Sequence, residues 1–226
     1  MINRLPPWIW PGIWLLAFAA GATNVVGLIS FQHEGLTHLT GNTSLLGIAI
    51  AQRSSASTIH YLLILASFVL GCAGTGLIMR DDELTLGWQE AAALGLSAAL
   101  LTIAPLLLEA GHVSGLYLAA GACGLQNSIV TGYSGSVVRT THVSGMFTDL
   151  GIFLGRSLRG VPANRRRLIM SSTVISGFLL GGVVCALVID RLEYRALWIP
   201  AGIAAGLALP CLITEFRTKP TPDSGA

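Results

Sequence analysis

One short polar motif occurs twice in this chain. The residues around His38 read GLTHLTGNTSLLGIAIAQ, and those around His142 read RTTHVSGMFTDLGIFLGR. Aligning the two histidines matches six further pairs, namely Thr37 with Thr141, Thr40 with Ser144, Gly41 with Gly145, Leu46 with Leu150, Gly47 with Gly151 and Ile48 with Ile152. Upstream, GATN ending at Asn24 corresponds to GLQN ending at Asn127. The pattern predicts one duplicated unit, with a first repeat over 8–109, a second over 112–216 and a disordered tail over 217–226.

The composition indicates that the surroundings of this chain are a lipid bilayer. Hydrophobic residues make up 53%, charged residues only 11%, and the mean hydropathy is +0.70. A soluble domain carries about a quarter charged residues. The apolar runs are too many and too central for a signal peptide, and too long for the alternating strands of a membrane barrel. We therefore expect an all-α membrane protein, a polytopic helical bundle forming a single transmembrane domain over 1–226.

Segment lengths predict six long spans and two short helices. The six long apolar segments are 13–31, 59–79, 91–108, 113–130, 168–189 and 196–213. Two shorter helical stretches, 40–52 and 144–156, open with a hydroxyl residue that can cap a helix, followed by glycine. Their length suits broken or re-entrant helices that enter the bilayer and stop. Each half then has three spans, and an odd number inverts the second half relative to the first.

The basic residues predict which loops face the cytoplasm. Five arginines lie in the loop RSLRGVPANRRR, which lacks aromatic interleaving and is not expected to bind nucleic acid. The positive-inside rule places this loop and both termini in the cytoplasm. Six spans leave three basic residues outside, Arg53, Arg191 and Arg195, whereas eight spans leave four, so charge alone leaves both counts open. Segment length favours the six-span, inverted arrangement.

The repeated motif also predicts a binding site. The N-terminus of a helix carries unpaired N–H groups and a partial positive charge, and glycine permits close approach of a ligand. Two such ends near the midplane would hold an anion or a polar solute. The candidate site residues are Asn24, His38, Thr40, Gly41, Asn42, Asn127, Arg139, Thr141, His142, Ser144, Gly145 and Asp149. The asparagines either satisfy freed backbone groups or contact the ligand. The histidines are either interfacial, or they donate to a ligand or carry a proton.

Two charges break the symmetry of the repeat. Arg139 and Asp149 align with Gly35 and Leu45 in the first half. A carboxylate inside a membrane helix needs a partner or water, and Arg139 is the expected partner of Asp149. The pair is either a structural ion pair or a site for a coupling ion or proton.

These features favour a secondary transporter or channel-like permease for a small polar or anionic solute. The chain shows no nucleophile triad, metal-binding motif or phosphate loop, so neither an enzyme, a metal nor a cofactor is expected. The alternatives are a membrane enzyme or lipid-handling protein using His142 and Asp149, and a non-transporting membrane scaffold. Homo-oligomerisation is left open.

The motifs also resemble those of a known family. The paired segments GATNVVGL with THLTGNTSLLGIA, and GLQNSIV with VVRTTHVSGMFTDLG, are similar to the YoaK-like family of bacterial multipass membrane proteins of unknown function. The resemblance covers nearly the whole chain. It implies a location in the bacterial inner membrane and brings no established substrate.

Overall fold

The computed structural model describes residues 9–30, 35–79, 87–133, 139–162 and 164–218. Throughout these ranges the only regular structure is helical, which confirms the predicted all-α class. The described residues form eight α-helices: α1 (Ile9–Ser30), α2 (Leu39–Ala51), α3 (Ser55–Ile78), α4 (Trp88–Glu109), α5 (Ser114–Tyr133), α6 (Val143–Leu158), α7 (Arg165–Leu192) and α8 (Trp198–Thr218). A short 3-10 helix, Glu193–Leu197, joins α7 to α8.

The helices follow the predicted order of long, short, long, long in each half. The two short helices are α2, with 13 residues, and α6, with 16. Local capping explains where the following long helices begin. The Ser54 hydroxyl accepts from the backbone N–H of Ser57 at the start of α3, and the Asn164 side chain accepts from the first N–H groups of α7.

Four segments are long and apolar enough to cross a membrane by length and composition. They are Ile9–Ile29, Ser55–Ile78, Trp88–Glu109 and Arg165–Ile213, the last of which contains α7 and most of α8. Helix α5 is less apolar than these four because it carries Gln126 and Asn127, and both of these side chains are buried. Large apolar side chains on the outside, such as Leu70 and Leu187, are the kind of surface that a bilayer covers.

Close glycine contacts join α1 to α7 and α3 to α5. A Cβ atom added to Gly21 would meet the Phe178 carbonyl of α7, and one added to Gly124 would meet the Phe68 carbonyl of α3. Glycine therefore lets each pair of backbones approach more closely than a side chain would allow. Gly21 and Gly124 occupy equivalent places in the two halves, three residues before Asn24 and Asn127.

A second set of glycine contacts joins the same two helix pairs, with the glycine now on α3 or α7. A Cβ atom at Gly71 of α3 would meet the Gly121 carbonyl of α5, and one at Gly181 of α7 would meet the Phe18 carbonyl of α1. The first helix of each half thus packs against the third helix of the other half.

Two clusters of buried side chains define the two ends of the bundle. The first cluster contains residues from the beginnings of α1, α4 and α7 and from the ends of α5 and α8. The second contains residues from the ends of α1, α4 and α7 and from the beginnings of α5 and α8. Helices α1, α4 and α7 therefore run in one direction, and α5 and α8 run in the other. Helix α3 runs with α5, since its last residue, Ile78, packs against the first cluster.

Candidate functional site

Both copies of the motif line one cavity. Its volume is about 520 Å³, and it lies where α2 and α6 begin, between α1, α3, α5 and α7. Eight of the twelve residues predicted from sequence line it: Asn24, His38, Thr40, Asn127, Arg139, Thr141, His142 and Ser144. Residues separated by about one hundred positions in the chain are thus brought into one site by the packing of the two halves.

The two short helices each begin one residue earlier than predicted. His38 and His142 occupy the N-cap positions, and neither makes a side-chain capping hydrogen bond. The prediction that Thr40 and Ser144 cap the helices is therefore wrong. The first helical hydrogen bond of α2 runs from the N–H of Asn42 to the backbone carbonyl of His38, so the helix begins after the histidine. Both hydroxyl residues therefore lie within the first turn, and both line the cavity.

An asparagine holds the chain in front of each short helix. The Asn24 Oδ1 atom accepts from the backbone N–H of Thr37 at 3.1 Å and from its hydroxyl at 2.9 Å. Asn127 Oδ1 accepts in the same way from the backbone N–H of Thr141 at 3.4 Å and from its hydroxyl at 3.3 Å. Each asparagine thereby satisfies the backbone N–H group of a residue just before the short helix. Since Oδ1 is occupied, the amide Nδ2 group of each side chain is the one left for the cavity.

Glycine makes room for each histidine ring. A Cβ atom added to Gly41 would meet the ring of His38, and one added to Gly145 would meet the ring of His142. Each ring therefore lies over the first turn of its own helix. This places Gly41 and Gly145 beneath the cavity wall, where they position the histidines.

Asn42 has a structural role in the first repeat. Its side chain is buried, and it donates to the Gly35 carbonyl at 3.0 Å. The equivalent residue of the second repeat is Met146, which is also buried. The Asn42 amide thus holds the chain in front of α2 by a hydrogen bond, whereas Met146 contributes to the apolar packing.

Asp149 is not paired with Arg139, contrary to the prediction. Its carboxylate lies 3.6 Å from Arg167 of α7, and it does not line the cavity. The physical reason is the turn between α6 and α7, which returns the arginine-rich start of α7 to the side of α6. Arg139 instead lines the cavity and is exposed there.

Five lining residues were not among the predicted site residues. They are Thr37, Leu39, Phe68, Val143 and Phe178. Repetition in the sequence contained a signal for the aromatic pair, because Phe68 precedes Gly71 by three residues as Phe178 precedes Gly181. Nowhere in the described ranges do three or more His, Cys, Asp or Glu side chains come together as a metal-binding group.

The apolar helices and the polar cavity between the two halves define an integral, helical membrane protein. A family model described as "Protein of unknown function (DUF1275)" matches residues 12–209. The chain belongs to this family, which confirms the YoaK-like resemblance of its motifs. It is 24% identical over 209 residues to the UPF0700 transmembrane protein YoaK of Bacillus subtilis (strain 168), a match that covers 86% of this chain and 90% of that relative. No solved structure matches the chain significantly.

Proposed function

We propose that this protein is a secondary transporter or channel-like permease for a small polar or anionic solute. The observation that carries the proposal is the single cavity lined by both copies of the repeated motif. Helix N-termini converging from two repeats on one polar cavity are typical of binding sites in transporters. Thr40 and Ser144, in the first turns of the two short helices, are side chains that a bound solute would meet.

An inverted duplication supports this function. The contacts of α1 with α7 match those of α5 with α3, residue for residue at the close glycines. The equivalent helices of the two halves run in opposite directions, as α1 does relative to α5 and α4 relative to α8. A two-fold axis in the membrane plane relates two halves in this way, and alternating access uses that relation.

The same directions support six spans. Helices α1 and α4 are parallel, as six spans require, whereas eight spans would make them antiparallel. On this proposal α2 and α6 enter the bilayer from the cavity and return to the surface without crossing. Both termini and the arginine-rich loop are then on one side, which the positive-inside rule assigns to the cytoplasm of the bacterial inner membrane.

The arrangement of His142 and Asp149 gives less support to a membrane enzyme. They are separated by two turns of α6, about 10 Å along the helix axis. His142 lines the cavity, whereas Asp149 is paired with Arg167 outside it. The two groups therefore do not share one reaction site.

Solute flux into vesicles tests the proposal. Purified protein reconstituted into liposomes is assayed with labelled acetate, benzoate, sulfate and glycerol. We expect at least one solute to enter faster than into protein-free vesicles, and the double variant Thr40→Leu/Ser144→Leu to abolish that flux by filling the cavity. The control Thr43→Leu/Thr148→Leu changes exposed hydroxyl residues of the same helices that do not line the cavity, and should retain the flux. Flux that persists in the cavity-filling variant would contradict the proposal.

A further inference from the structure

The hydrogen-bonding groups that face the cavity are mainly donors. Asn24 and Asn127 are each more than nine-tenths buried, with exposed fractions of 8% and 7%. Their Oδ1 atoms are occupied by Thr37 and Thr141, so each presents its Nδ2 group. The N-caps of α2 and α6 make no side-chain hydrogen bond, which leaves the N–H groups of both first turns without a capping side chain. Such a lining matches the acceptor oxygens of an anion.

The formal charge of the lining is positive and comes from one half only. Arg139 is the charged side chain among the described lining residues when the histidines are neutral, and those residues include no carboxylate. The matching position in the first repeat is Gly35, where an added Cβ atom would lie 2.8 Å from Asn24 Oδ1. A second arginine therefore does not fit there without disrupting the Asn24–Thr37 contact. One guanidinium neutralises one negative charge, so the site is suited to a monoanion.

Apolar walls complete the cavity in both halves. Phe68 and Phe178 line it from α3 and α7, and Leu39 and Val143 line it from the first residues of α2 and α6. A small inorganic ion would leave these walls without a ligand group to contact. Aromatic and aliphatic walls beside a few oriented donors are the usual composition of a site for an organic molecule.

We infer that the cavity binds an organic monocarboxylate. The carboxylate lies against Arg139 and the amide groups of Asn24 and Asn127, and the hydrocarbon part lies between Phe68 and Phe178. Arginine binds planar carboxylates with two parallel hydrogen bonds, so Arg139 favours a carboxylate over a neutral amide of the same shape. That the bound carboxylate is also transported rests on the proposed function, whereas its binding is measured separately.

Calorimetry with matched probes tests the carboxylate. The full-length protein in detergent is titrated with benzoate and with benzamide, which has the same shape and no charge, and then with acetate, acetamide and sulfate. We expect benzoate to bind more tightly than benzamide by about tenfold or more, and more tightly than acetate or sulfate. Arg139→Gln should remove this preference, whereas Arg159→Gln, in the exposed loop after α6, should keep it. Equal binding of benzoate and benzamide, tighter binding of sulfate, or no binding of either carboxylate would overturn the inference.

A second variant tests the aromatic wall. Phe178→Ala should weaken benzoate binding about three- to tenfold and leave acetate binding unchanged, because only benzoate has a ring to pack against it. The control Phe147→Ala removes an exposed ring of α6 and should change neither. Equal losses for benzoate and acetate would contradict the assigned orientation. Benzoate binding without flux would refute transport alone, and flux of another solute without benzoate binding would refute the carboxylate alone.

Discussion

At the residue scale, the two motif glycines differ from the glycines that follow them six residues later. Gly41 and Gly145 lie against the rings of His38 and His142, whereas Gly47 and Gly151 have open space where a Cβ atom would be. The same two environments occur in both repeats. The first glycine of each motif is therefore required by the histidine, and the second is not required by any described neighbour.

Replacing Gly41 with alanine should change binding without destabilising the fold. Alanine favours a helix over glycine by up to about 1 kcal/mol, but its methyl group would push the His38 ring away from the cavity. Loss of one ring contact should weaken solute binding or flux by about tenfold. Calorimetry or vesicle flux measures this, and thermal unfolding reports on the fold. Gly47→Ala is the matched control and should leave binding unchanged. Unchanged binding in Gly41→Ala would remove His38 from the site.

At the element scale, an ion pair joins the short helix α6 to the long helix α7. Asp149 and Arg167 are 3.6 Å apart, with exposed fractions of 25% and 49%. The first repeat has Leu45 in place of Asp149, so α2 lacks this link to α3. The pair is thus a feature of the second half, at the side of the molecule where the arginine-rich loop lies.

A double-mutant cycle should detect this link. Because both groups are partly exposed, Asp149→Asn and Arg167→Gln should show a coupling of up to about 1 kcal/mol in the free energy of unfolding. Asp149→Asn combined with Arg139→Gln should be additive, since Arg139 lines the cavity and is not the partner of Asp149. The measurement is chemical unfolding in detergent. Strong coupling of Asp149 to Arg139 would restore the pairing that was expected from the sequence.

At the scale of the whole molecule, the alternating directions of the long helices determine which loops share a side. On the proposed six-span arrangement, the turn between α2 and α3 lies opposite the arginine-rich loop. Arg53 is in this turn, with a φ of 56°, and Arg165 begins α7. These two exposed positions can be compared by one labelling experiment.

Single cysteines on a cysteine-free background should report opposite sides. We expect an impermeant thiol reagent added to intact cells to label Arg53→Cys and not Arg165→Cys, because the positive-inside rule holds the arginine-rich loop in the cytoplasm. His112→Cys, in the turn between α4 and α5, should behave as Arg53→Cys does. Permeabilised cells provide the control that all three thiols are reactive. Protection of position 53 with labelling of position 165 would reverse the proposed orientation.

Local patterns in the sequence were sufficient to predict the helical class and the order of the long and short helices. Hydropathy depends on residues that are near each other in the chain, so the bounds of α3, Ser55–Ile78, differ from the predicted 59–79 by four residues at most. The Asn24 and Asn127 positions were also evident, because the repeated motif makes matching residues visible without a structure. The family followed from the same motifs.

The tertiary structure alone decided which side chains meet. Asp149 could be assigned a partner from sequence only by proximity in the chain, and this favoured Arg139, whereas the packing of α7 beside α6 selected Arg167. Phe68 and Phe178 reached the cavity because Gly124 and Gly21 let their helices approach closely. Contacts of this kind join residues far apart in the chain, and their geometry depends on how whole helices pack rather than on any local sequence pattern.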